Sequence, residues 1–247
     1  MPDKIDEAGT KILSLISHKF RTPLSIINGY SDALIGLAQT EKMSAFGEKA
    51  VEEIHKQGNH LAYLVERLIM FTRVEEMETK DLVKTSLNLR KLLTAAARGV
   101  LERCEGEKTE ESGGVLKKGP VTIEINCAAD YAVMGDAALA GAAAGELIDN
   151  AVKFNIGAKK NVSVYCQRHN NNVSISVKDN GTGIRPNEIN KIFDKFYQVD
   201  EYFTGQIEGW GLGLPFVKKV TTLHGGTVSV VSDKGIGSVF TVTMAAD

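Results

Sequence analysis

Three short stretches in the second half of the chain carry residue types suited to holding a polyanion and its counter-ion. In GELIDNAVKF, Glu146, Asn150 and Lys153 recur at i, i+4 and i+7, which lines them along one helical face. A carboxylate, an amide oxygen and an ammonium on one stripe suit Mg2+ and phosphate oxygens, because magnesium takes few, hard oxygen ligands. The same stripe also fits an ordinary solvated face. In DNGTGI, Asp179 is followed by Gly181 and Gly183, and glycine lets backbone approach a flat ligand closely. Read alone, that run is a hairpin turn at least as readily. GWGLGLPFVKK sets Gly209, Gly211 and Gly213, with Leu212 among them, ahead of a helix, where unpaired N–H groups and the helix dipole receive phosphate. It lacks the preceding strand and βαβ context of a dinucleotide-binding fold.

A fourth stretch, SHKFRTPL, holds His18 within a helical pattern. At 100° per residue His18 points away from the apolar seam marked by Phe20 and Leu24, so its imidazole faces solvent and can reach a partner. A lone helical histidine is ordinarily a surface residue. His55 and His60 read as surface or bundle-edge residues, His169 as part of a turn, and His224 as a helix C-terminal residue favoured by the dipole. Pro23 leaves the Lys19 carbonyl unpaired and bends the helix just after His18.

The elements that must position these residues fall into two groups. From about Asp6 to Met77 a helical pattern with one proline breaks near AQTEKMS, which predicts two long helices joined by a turn. Val51, Ile54, Gly58, Leu61, Val65 and Leu68 form a heptad seam on the second, and Leu13, Ser17, Phe20, Leu24, Ile27, Ser31, Leu34 and Ala38 form one on the first. A hairpin alone cannot bury both seams, so a homodimeric four-helix bundle is the economical solution. Beyond a boundary at about residue 79, strand-like and helical runs mix without strict alternation, which predicts an α+β sandwich. The runs VTIEINC, NVSVYCQRH, NNVSISVKDNG, TVSVVS and SVFTVTM read as strands. LRKLLTAAARGVLERC, NEINKIFDKFYQ and PFVKKVTTLHGG read as helices, and EGEKTEESGG as a charged loop with nothing to bury.

Bulk composition excludes several classes. A net charge of -2 gives no basic excess to draw nucleic acid or anionic lipid. Cys104, Cys127 and Cys166 are an odd number without CxxC spacing, which fits reduced packing thiols and a cytoplasmic setting. No apolar run approaches the roughly 18 to 20 residues of a membrane span, so no membrane insertion is expected of this chain. A longer protein from which it derives could still be membrane-anchored.

Taken in order and spacing, the three phosphate-suited stretches resemble the N box and the two glycine boxes of the GHKL ATPase superfamily. KIFDKFYQVD between them resembles the F box of histidine kinases, and SHKFRTPL resembles the H box of their dimerisation and phosphotransfer domain. The chain is thus identified as resembling a sensor histidine kinase core: a helical hairpin over residues 1–79 that forms a dimeric four-helix bundle, then a GHKL-type (Bergerat-type) ATP-binding α+β sandwich over 80–247. The resemblance implies ATP and Mg2+ as cofactors, autophosphorylation on His18, and transfer to an aspartate of a response regulator receiver domain. It implies Asn150 as the Mg2+ ligand, Glu146 as a nearby assistant through water or proton handling, and Lys153 as a phosphate contact. Asp179 would accept the adenine N6 hydrogen bond, Gly181 and Gly183 would admit the base, and Gly209, Gly211 and Gly213 would receive phosphates. Gly235, Gly237 and Ser238 sit where the family closes its domain, and Phe193 and Phe196 would anchor a mobile lid over about 187–208. Thr22 matches the position that orients water for receiver dephosphorylation.

Two residues depart from that pattern. Lys19 stands where the family usually has an acid, and a lysine with a pKa of about 10.4 cannot accept the imidazole proton at neutral pH. Trp210 stands where a small residue is usual. Together they motivate a rival expectation, a catalytically weak, dimeric ATP-binding scaffold that docks a regulator or another kinase.

Overall fold

The computed structural model describes residues 20–34, 36, 45–104, 108–128, 131–155, 157–199 and 211–246. The chain divides into two compact units, meeting between Arg73 and Val74.

The first unit is the helical hairpin. Helix α1 covers residues 20–34 and α2 runs Ala45–Glu76, with residues 37–44, where the turn was expected, outside the described residues. On α2 the buried apolar side chains among the described residues are Ala50, Leu64, Phe71 and Val74. They repeat at heptad intervals, displaced by one residue from the seam the sequence suggested. Two members of that suggested seam, Val51 and Val65, are 56% and 38% exposed, and Ile69 beside them is 61% exposed. A helix of this length therefore carries two apolar stripes, only one of which the single chain covers.

In the second unit, β1 (Lys84–Asn88) leads into α3 (Leu89–Glu102), β2 (Glu110–Ser112), β3 (Val115–Lys118), β4 (Val121–Asn126) and β5 (Ala132–Asp136). Then follow α4 (Ala137–Lys153), β6 (Lys160–His169), β7 (Asn172–Asp179), α5 (Gly213–Leu223), β8 (Thr227–Asp233) and β9 (Gly237–Ala245). Seven strands form one sheet in the order β2-β3-β4-β6-β7-β9-β8, and β1 pairs with β5 separately. All neighbours in the large sheet are antiparallel except β4 and β6, which run parallel with α4 in the connection between them. Alternation in β4, β6 and β9 buries one face, through residues such as Ile123, Val164 and Val242. Helices α3, α4 and α5 pack side by side over the sheet, giving the two-layer α+β arrangement.

Three local readings differ from expectation. The charged run EGEKTEESGG contributes β2, because Gly113 and Gly114 both take positive φ (59° and 87°) and close a two-residue hairpin with Ser112 opposite Val115. The stretch NEINKIFDKFYQ is a chain of turns rather than a helix. Lys191, Asp194 and Tyr197 each donate to a carbonyl three residues back, Pro186 precedes the stretch, and Phe196 takes a φ of 62° that ends any regular winding. Strand β5, in AVMGD, carries no clear alternation and passes unmarked in the sequence; Gly135 fits there against His224 and Leu87.

Cys127 and Cys166 are buried and neither is disulfide-bonded, so both pack as thiols. Contact with the Cys127 thiol, and then burial, hold the Cys166 thiol above its ordinary range.

One residue ties several of these elements together. Asp136 caps α4 by accepting from Ala138 N–H and Leu139 N–H, both at 3.1 Å, and its Oδ2 accepts from Val83 N–H at 3.3 Å. Its own N–H donates to His224 Nε2 at 2.9 Å, so the histidine at the end of α5 is a structural acceptor. Asp136→Ala removes the cap and should cost about 1–2 kcal/mol, read as a lowered urea midpoint with an unchanged m-value.

Candidate functional site

The site assembles at one end of the sheet, where β7 stops and α4 ends. Burial of Leu147, Ile148, Ala151 and Val152 fixes the rotation of α4, and this brings Asn150 to a cleft of about 600 Å³, open space at its mouth included. The far wall comes from the ends of β7 and β9, with Asp179, Ser238 and Phe240, and Leu214 of α5 also reaches the cleft.

Asp179 is the polar centre of the cleft. It is 7% exposed, and its Oδ1 accepts from Gly181 N–H at 2.8 Å and from Ser238 N–H at 3.1 Å. Both bonds converge on Oδ1, so Oδ2 is the oxygen left for a donor inside the cleft. Burial raises the carboxyl above its ordinary value, against the opposing pull of the two N–H donors. Ser238 is fixed in turn through Ser232, whose hydroxyl lies 2.9 Å from that of Ser238 and accepts from Ile184 N–H at 2.8 Å.

Glycine is required at two positions around this carboxylate. A Cβ on Gly181 would sit 2.6 Å from the Phe154 carbonyl oxygen. Gly183 has a φ of 62°, and a Cβ there would run into the Asp233 carbonyl.

Helix α5 starts at Gly213, so the third glycine of GWGLGL is its first residue rather than part of a preceding loop. Its N-cap, Leu212, is buried and offers no side-chain bond to the first-turn N–H groups. Gly211, with a φ of 66°, accepts from Phe196 N–H at 2.9 Å and joins the turn-rich segment to the start of α5. Phe193 and Phe196 are both half-buried, and Ile192 is the buried residue of that segment. Gly209 and Trp210 lie outside the described residues, as does 200–208 of the expected lid.

The structure brings Asn150, Asp179, Gly183 and Ser238 to one cleft. Glu146 and Lys153 share the helix but are not among its lining residues. Lys153 Nζ instead lies 2.6 Å from Asp149 Oδ2, and Arg103 lies 3.5 Å from the other oxygen of this buried carboxylate. Asp149, inside GELIDNAVKF, went unremarked in the sequence because it falls on the inner side of the stripe. Two basic side chains beyond the motifs, Arg185 and Lys234, also line the cleft; each adjoins a glycine motif, which is the only signal the sequence offered. Thr22 on α1 is exposed and Pro23 is buried. His18 and Lys19 lie outside the described residues.

Comparison with known proteins matches both units. Residues 10–76 match the His Kinase A (phospho-acceptor) domain, and residues 135–247 match the histidine kinase-, DNA gyrase B-, and HSP90-like ATPase family. The chain belongs to the histidine kinases. This histidine kinase core is 29% identical over 245 residues to an uncharacterized sensor-like histidine kinase, R01002, of Rhizobium meliloti, covering 99% of the chain and 44% of the relative. It is 25% identical to the sensor-like histidine kinase SenX3 of Mycolicibacterium smegmatis, covering 93% of the chain and 55% of SenX3. The chain thus spans about half the length of these curated relatives. Among solved structures, full-length ShkA in complex with AMPPNP superimposes with a TM-score of 0.63 at 26% identity, covering 96% of this chain and 46% of ShkA. Histidine kinase ThkA in complex with the response regulator protein TrrA gives 0.66 at 18% identity, covering 98% and 62%, a likeness of fold. No described helix is long and apolar enough to cross a membrane.

The raised Asp179 carboxyl has a consequence for stability. The folded chain binds this proton more tightly than the unfolded chain, so this group's contribution is most favourable at acid pH and is lost as pH rises through the folded value. Asp179→Asn keeps an amide oxygen for Gly181 and Ser238 and removes the ionisation. Its melting temperature should exceed that of wild type at pH 7, and the difference should shrink as pH is lowered towards about 4, the ordinary carboxylate range.

Proposed function

We propose that this histidine kinase core binds ATP in the cleft, phosphorylates itself on His18, and passes the phosphoryl group to an aspartate of a response regulator receiver domain. The observation that carries the reading is the presence on one chain, in order, of a phospho-acceptor match at 10–76 and an ATPase match at 135–247. AMPPNP in the ShkA complex and the regulator in the ThkA complex support the choice of nucleotide and of partner.

In this reading Asp179 Oδ2 accepts the adenine N6 hydrogen, which guanine cannot supply because it carries an acceptor there. Gly181 and Gly183 serve the base indirectly, by letting the loop pack against the Phe154 and Asp233 carbonyls, while the uncapped first turn of α5, with Gly209, Gly211 and Gly213, receives the phosphates. Lys153 reaches phosphate only by exchanging Asp149 for it. Asn150 suits Mg2+: its carboxamide is a hard oxygen ligand in the cleft, and magnesium takes one or two protein ligands when substrate phosphates supply the rest. Mg2+ bound there would neutralise charge developing on the phosphates. Glu146, one turn before Asn150, assists through water or proton handling.

The neutral imidazole of His18 attacks in line. A nitrogen–phosphorus bond to the γ-phosphate forms as the bond to the β–γ bridging oxygen breaks, and ADP leaves with that oxygen. The imidazole proton must go to water or to Glu146, because Lys19 is a cation at neutral pH. Thr22, exposed on α1, orients water for dephosphorylation of the receiver. Homodimerisation of the hairpin covers the second apolar stripe of α2, where Val51, Val65 and Ile69 are exposed in the single chain.

Incubation with γ-labelled ATP and Mg2+ should give an acid-labile, alkali-stable label that is lost in both His18→Ala and Asn150→Ala. Absence of label in wild type that nonetheless binds ATP would overturn autophosphorylation and favour the weak scaffold. Lys19→Glu should label at least several-fold faster if the missing acid limits the rate. Sedimentation at micromolar concentration should report a dimer, and a monomer would contradict the four-helix bundle.

A further inference from the structure

Past the end of α4 lies a polar group that no step above uses. Asn155 follows the C-cap residue Phe154 and is 0% exposed, although it is an amide. A buried amide persists only where its donors and acceptor are satisfied, so its partners carry information. Its Nδ2 donates to Asn180 Oδ1, and its Oδ1 accepts from Gly157 N–H at 3.3 Å. Asn180 stands between Asp179 and Gly181, inside the loop that shapes the cleft.

Asn180 cannot turn away from this bond cheaply. Its Oδ1 also accepts from Asn161 N–H at 2.9 Å, and its Nδ2 donates to the Lys159 carbonyl at 3.3 Å. Flipping the amide would set donor against donor at Asn161 and acceptor against acceptor at Lys159. A parallel stitch runs through the backbone, where Thr182 N–H donates to the Phe154 carbonyl at 3.1 Å. The end of α4 and the Asp179 loop are therefore joined by one side-chain bond from a buried amide to an exposed one and by one backbone bond, flanking Gly181, whose close approach to Phe154 leaves no space for a side chain.

We propose that Asn155 is a positioning residue for base recognition: through Asn180 it holds the Asp179 loop at a fixed distance from α4, so that Asp179 Oδ2 meets the base while Asn150 meets the Mg2+ that accompanies the phosphates. This rests on the nucleotide reading given above. Asn155 touches neither base nor phosphate. Its effect is to set where the carboxylate stands, and so to set how strongly an N6 amine is preferred over a purine without one.

The test compares ATP with purine riboside triphosphate, which lacks the N6 amine, by titration calorimetry on the whole chain with wild type, Asn155→Ala, Asn155→Ser, Asn180→Ala and the Asn155→Ala/Asn180→Ala pair. Measurements are made well below each variant's melting temperature. ATP affinity should fall about tenfold in each single variant, the weight of one hydrogen bond, while affinity for the N6-lacking nucleotide stays unchanged. The double variant should bind ATP no more weakly than the singles, since both act through one bond. Equal losses for both nucleotides, or unchanged ATP binding alongside a lowered melting temperature, would make Asn155 merely structural and overturn the proposal. A wild type that binds neither nucleotide would overturn the reading of the cleft itself, a result distinct from wild-type binding that the Asn155 variants retain.

Discussion

The site depends on a carboxylate that the fold has taken out of water. Asp179 is buried at the end of β7, and two backbone N–H groups, from Gly181 and Ser238, hold one of its oxygens. Burying a charge without such donors would be costly, and here the donors come from the chain on either side of the cleft: the loop that follows β7 and the start of β9. The close glycine contacts follow from the same requirement. Backbone can approach Asp179 on both sides only where Gly181 and Gly237 leave out a Cβ, and Ser232 and Ser238 complete the ring around it.

Much of this was legible because the sequence patterns were local. The spacing of Glu146, Asn150 and Lys153 belongs to one helix, and α4 forms over Ala137–Lys153 as that spacing requires. The alternation in VTIEINC, NNVSISVKDNG and SVFTVTM marks strands with one buried face, and β4, β7 and β9 follow it closely. A common helical face did not guarantee a common destination, however. Asn150 lines the cleft, while Lys153 is drawn to Asp149, whose burial depends on packing that the chain only acquires when α3 brings Arg103 alongside.

What was not legible was contact between distant segments. The one-residue displacement of the α2 seam needed the packing of the hairpin to reveal it, because Val51 and Ala50 are both apolar and either could belong to a heptad. The segment holding Ile192 and Phe196 has helical composition, yet its bonds to Glu188, Lys191 and Gly211 turn it into a compact loop. Nothing local in the sequence marks Asn155, because its partner Asn180 lies 25 residues away and meets it only in the fold.

The parallel pairing of β4 with β6 adds a kinetic side to this arrangement. Antiparallel neighbours can zip from a hairpin, but a parallel pair has to wait for its whole crossover, here the segment containing β5 and α4. Loop-closure entropy is lost before those contacts are gained, which makes such pairs slow to form. The helix that bears Asn150 thus lies within the connection that the sheet must close around. The cleft and the sheet centre are completed together, and a chain with its central strands unpaired has no partial version of the site to offer.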